Sequence, residues 1–133
     1  MRTRTRRPAL SLTVAARARD IGAVRSEAAA HCARWGAPQV ADTVALCVSE
    51  LLTNVVVHVG EGVPATVGIT WCGHDRVRLG VTDPDPRPLP ALPAAAPDAE
   101  SGRGLALIDV LALRWGVAEG AYAKTVWCEF ATS

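Results

Sequence analysis

The chain has 133 residues, of which 50% are hydrophobic and 20% charged, so one folded domain is expected and a disordered polar chain is excluded. Its net charge is +1, but four of the fourteen basic residues are Arg2, Arg4, Arg6 and Arg7, and the remainder is slightly acidic. A basic nucleic-acid-binding surface is therefore not expected. No apolar run approaches the roughly 18 residues of a membrane span, and no apolar stretch follows the arginines as in a signal peptide. The expectation is a soluble cytoplasmic protein.

Residues 1–8 read as a flexible basic tail, and 9–133 as a single domain. Leu10, Leu12 and Val14 alternate and predict a first strand. Ala15 to Trp35 is rich in Ala, Arg and Glu, with Ile21, Val24 and Ala28 at helical spacing; Gly36 stops that helix and Pro38 suits the start of the next. The second helix, Pro38 to His58, is apolar round most of its circumference, which predicts burial. Two strands follow: Val67, Ile69 and Trp71 share one face, and Val77, Leu79 and Val81 another, with a turn at Gly73-His74-Asp75 between them. Arg76, Arg78 and Thr82 lie on the opposite, wetter face, so helices are expected on one side of the sheet only. Six of the nine prolines fall within residues 84–101, a loop long enough to be functional. Gly102-Arg103-Gly104 then opens a short helix, Leu105 to about Leu111, and two strands, around 113–118 and 123–130, close the chain. Cys32, Cys47, Cys72 and Cys128 are far apart and read as buried thiols rather than a zinc site or a disulfide frame.

Four features carry chemistry. Glu50, Asn54 and His58 follow one another at intervals of four, each about 40° round the helix from the last. They form one polar stripe on a helix otherwise built for burial. Such a stripe points to a cavity holding a cation or a polar ligand, because a buried carboxylate is costly without compensation. Asp83 continues the phase of Val77, Leu79 and Val81, so its carboxylate is expected to point inward at a strand end and to need donors, which either a ligand amino group or a backbone turn before Pro84 would supply. Gly102 and Gly104 read either as a plain turn or as a loop that lets backbone N–H groups approach an anion at a helix N-terminus. No Walker-type lysine follows them, and no strand precedes them as in a dinucleotide-binding fingerprint. On the last strand, Lys124 is the only lysine. It is a candidate phosphate contact or a solvated strand residue. Alternation puts Lys124 and Thr125 on opposite faces.

The order of these signals resembles the ATP-binding fold shared by histidine kinases, type II topoisomerases and mismatch-repair ATPases (the GHKL superfamily). Within it, SELLTNVVVH (49–58), ESGRGLALIDVLALRWGV (100–117) and KTVWCEF (124–130) resemble the bacterial anti-sigma-factor serine/threonine kinases. The resemblance spans about residues 10–130. It implies a two-layer α/β sandwich of Bergerat type, with a mixed, mostly antiparallel sheet and helices on one face. It also implies a set of residue roles: Asn54 coordinates Mg²⁺ at the phosphates of ATP, Glu50 acts as general base, and Asp83 reads the adenine amino group. His58, Gly102, Arg103, Gly104, Leu105 and Thr125 complete the ATP-binding set. The implied activity is ATP/Mg²⁺-dependent phosphorylation of an anti-anti-sigma (STAS-type) partner by a protein that also holds a sigma factor, in a family that often forms homodimers. The alternative is a non-catalytic ATP-binding regulator. The pattern departs after Asp83, where the family has glycines and this chain has Pro84-Asp85-Pro86.

Overall fold

The computed structural model describes residues 7–85 and 100–132, and of residues 100–104 the backbone alone. The elements are β1 (Leu10–Ala15), α1 (Ala18–Arg34), a 3-10 turn (Pro38–Val40), α2 (Ala41–His58), β2 (Pro64–Cys72), β3 (Arg76–Asp83), α3 (Glu100–Leu111), β4 (Arg114–Glu119) and β5 (Lys124–Ala131). The strands form one sheet in the order β1-β2-β3-β5-β4, antiparallel at every neighbouring pair. The expected two-layer α/β architecture is found, with the helices on one face of the sheet.

The core lies between that face and the helices. In α1, Val24, Ala28, His31 and Cys32 are the buried residues, one stripe at helical spacing. Gly36 follows at φ +99, a conformation that L side chains rarely adopt, and ends the helix. Helix α2 buries Val44, Val48, Leu51 and Leu52 against the sheet. Each buried aliphatic side chain of this kind contributes about 1.5–3 kcal/mol. The segment 38–58 is long and apolar enough to cross a membrane although polar residues interrupt its apolar runs; here it forms the central core helix with the turn that precedes it. The strands answer with Val67 and Ile69 of β2, Val77, Leu79 and Val81 of β3, and Val126, Cys128 and Phe130 of β5.

Arg7 and Pro8, read from the sequence as the end of the basic tail, contact the folded domain. The Arg7 guanidinium stacks 4.5 Å from the Trp71 ring centroid, and the Pro8 carbonyl accepts hydrogen bonds from His31 Nε2 (2.9 Å) and Trp71 Nε1 (3.2 Å). Three of the four cysteines are fully buried and all four are free, and burial pushes the Cys32 thiol up to about 11.

On the outer sheet face Glu129 is 1% exposed beneath three arginines. Register explains the cluster, because β5 places Glu129 opposite Arg78 on one side and Arg114 on the other. Arg114 Nε donates at 2.7 Å and Arg78 Nε at 2.9 Å. The hydrogen bond from Arg114 is the main reason that the Glu129 carboxyl falls from 4.5 to about 2, against the opposing effect of burial. Because the folded value lies below the ordinary one, the stabilisation is fully present above about pH 4.5 and is lost as pH falls through about 2. Glu129→Gln should lower the midpoint of thermal unfolding at pH 7 by roughly 5 °C. The deficit should vanish near pH 2, as read by circular dichroism melts across the pH range.

Candidate functional site

Three elements build the site. Helix α2 carries the polar stripe on its C-terminal half, and the end of β3 and the start of β5 lie beneath that half. Asn54 and His58 from the helix, Asp83 from β3 and Lys124 from β5 line one hollow, whose apolar walls include Leu51, Val55, Val81 and Val126. The space left between these side chains is about 10 Å³, room for roughly one water molecule. Asn54 and Asp83 are 7% and 4% exposed. His58 Nε2 is buried there without a hydrogen-bond partner. An orphaned ring nitrogen costs about 1–3 kcal/mol of desolvation, so His58 Nε2 is available to a polar partner in the hollow.

Asp83 is not waiting for a donor. Lys124 Nζ lies 3.1 Å from Asp83 Oδ1, and both side chains are 4% exposed. Lys124 also donates to the Asp85 carbonyl at 3.0 Å, and the Asp85 N–H donates to the same Asp83 Oδ1 at 2.8 Å. The cross-strand pairing of Asp83 with Lys124 fixes this arrangement. Both readings of Lys124 offered by the sequence, phosphate contact and solvated residue, give way to a buried ion pair. The available signal was the inward phase that Asp83 and Lys124 share on strands that prove to be neighbours.

The other predicted residues fall in different places. Glu50 sits on the same stripe one turn before Asn54, half-buried, and does not line the hollow. Thr125 faces the other way: its Oγ1 lies 2.7 Å from Thr82 Oγ1, and it lines an open groove of about 320 Å³ on the outer sheet face with Arg78 and Trp127. The alternation that points Lys124 inward turns Thr125 outward, so the expectation of Thr125 at the nucleotide is corrected. Helix α3 starts at Glu100, so Gly102, Arg103 and Gly104 lie within its first turns rather than ahead of it. Leu105 is 3% exposed and lies outside the hollow's lining. Most of the predicted proline-rich lid, residues 86–99, lies outside the described residues.

One oxygen donor of the hollow, the Asn54 carboxamide, could hold a magnesium ion together with the phosphates of a nucleotide. Among the described residues no three His, Cys, Asp or Glu side chains cluster closely enough to hold a metal ion. Magnesium is commonly held by one or two protein oxygens together with phosphate oxygens. A single buried carboxamide, Asn54, beside the orphaned His58 Nε2 is compatible with that mode.

Comparison with known proteins agrees with the geometry. A family model described as the histidine kinase-like ATPase domain matches residues 14–127. An uncharacterised protein from Streptomyces coelicolor is 51% identical over 82 residues, which cover 61% of this chain and 78% of that protein. The crystal structure of the RsbU and RsbW domains of Rv1364c from Mycobacterium tuberculosis superposes with a TM-score of 0.66 at 22% identity, over 92% of this chain. The chain spans about a third of the length of that protein, 32%, and at this identity the likeness is one of fold. With the model matched over most of its length and the expected helix-on-sheet architecture in place, the chain belongs to the histidine kinase-like ATPase domain family.

Proposed function

We propose that this protein is an ATP/Mg²⁺-dependent serine/threonine protein kinase that acts as an anti-sigma regulatory factor, with an anti-anti-sigma protein as its substrate. The observation that carries the nucleotide part is the convergence of Asn54, His58 and Asp83 on one hollow beneath α2, with His58 Nε2 unpartnered. Asn54 would hold the magnesium ion at the phosphates, and the ion supplies charge neutralisation at the transferring phosphoryl group. Asp83 would accept a hydrogen bond from the adenine amino group. Glu50 would take the proton of the attacking hydroxyl. Phosphoryl transfer depends chiefly on positioning and electrostatics, so a few groups held by a rigid helix suffice. Release of the phosphorylated partner would free the protein to hold a sigma factor.

One observation favours a second reading, a nucleotide-binding regulator without transfer: Glu50 stands outside the hollow that holds Asn54 and Asp83. Incubation with γ-labelled ATP, Mg²⁺ and candidate STAS-type partners separates the two. The kinase reading predicts label on a serine or threonine of the partner. Nucleotide binding without transfer to any partner supports the regulator instead.

A further inference from the structure

Lys124 is the feature that the proposed function leaves unused. It is the only lysine of the chain, it is 4% exposed, and its ammonium holds the very carboxylate proposed to read the base. Its second bond, to the Asp85 carbonyl, ties that ammonium to the chain just beyond β3. The hollow left between Lys124, Asp83 and α2 admits about one water molecule and not a purine ring. A bare carboxylate at this depth would be costly, and the lysine compensates it while no ligand is bound.

We propose that Lys124 is a built-in occupant of the base subsite, an intramolecular cation that must leave Asp83 before the base of a nucleotide can dock, so that Lys124 sets the affinity for the nucleotide. The inference rests on the assignment of Asp83 as the base reader. Displacement exchanges one donor on Asp83 for another: the Lys124 N–H···O bond breaks, and the bond from the exocyclic amino group of the base forms. No covalent step is involved. Part of the binding free energy goes into opening the ion pair, as for any protein whose competent state is the minor one.

Calorimetry with ATP and Mg²⁺ on the wild-type protein and on Lys124→Thr tests this. Threonine removes the bulk and the charge but keeps a hydroxyl near Asp83. Tightening of ATP binding by at least tenfold is expected. Equal or weaker binding by a folded Lys124→Thr protein overturns the inference and leaves ATP binding by the wild type standing. Absence of ATP binding in both folded proteins overturns the base-reading assignment, and the inference with it. Should the variant fail to fold, the wild type still decides. With ¹⁵N-lysine labelling its side-chain ammonium gives a single resonance, because there is one lysine. That signal should be visible in the free protein, and should vanish or move when ATP and Mg²⁺ saturate the site. An unchanged ammonium signal at saturation overturns the inference.

Discussion

Asp83→Ala is expected to destabilise the protein by about 3–5 kcal/mol, among the largest effects of any single substitution. The mutation leaves the Lys124 ammonium buried with the Asp85 carbonyl and without its counter-charge. For a domain of this length that is a fall of roughly 10–20 °C in the midpoint of thermal unfolding. The double variant Asp83→Ala/Lys124→Ala removes both charges and should regain most of the loss. A buried ion pair contributes little net stability over an apolar replacement, whereas breaking one is expensive. Thermal or urea unfolding of the two single variants and the double variant gives the coupling free energy directly. Additive losses would mean that the two side chains do not pair in solution.

Glu50→Ala should separate binding from chemistry. Glu50 does not line the hollow, so the affinity for ATP should stay within about twofold of wild type. The phosphoryl-transfer rate should fall by about 100-fold or more, the usual loss when a general base is removed. Stability should change little, because Glu50 is half-buried and lies beside the core rather than within it. Single-turnover transfer to a STAS-type partner, read beside calorimetry of the same preparation, measures both halves. A variant that transfers at the wild-type rate would remove Glu50 from the mechanism.

Periodicity made most of the fold legible. The apolar circumference of α2, the alternation in β2 and β3 and the glycine after α1 each correspond to a described element, with ends displaced by a few residues. The start of α3 was not legible, because glycines within Gly102-Arg103-Gly104 argue for a turn and their local preference was outweighed in the folded chain. In the site, helix spacing aligns Asn54 with His58 and strand phase turns Asp83 inward, but their meeting in one hollow is implied only by the family resemblance. The ion pair of Asp83 with Lys124 was not legible, since it depends on which strands are neighbours and in which register, and 41 residues separate the partners. The same register seats Glu129 between Arg78 and Arg114, a cluster that no local pattern announces.

Titration of the protein with ATP in the presence and absence of Mg²⁺, followed by heat of binding, tests the central claim most directly. Saturable binding that requires Mg²⁺ and disappears in a folded Asn54→Ala variant is the predicted result. No heat at millimolar ATP, or binding of equal strength without the metal and in the Asn54 variant, would contradict it.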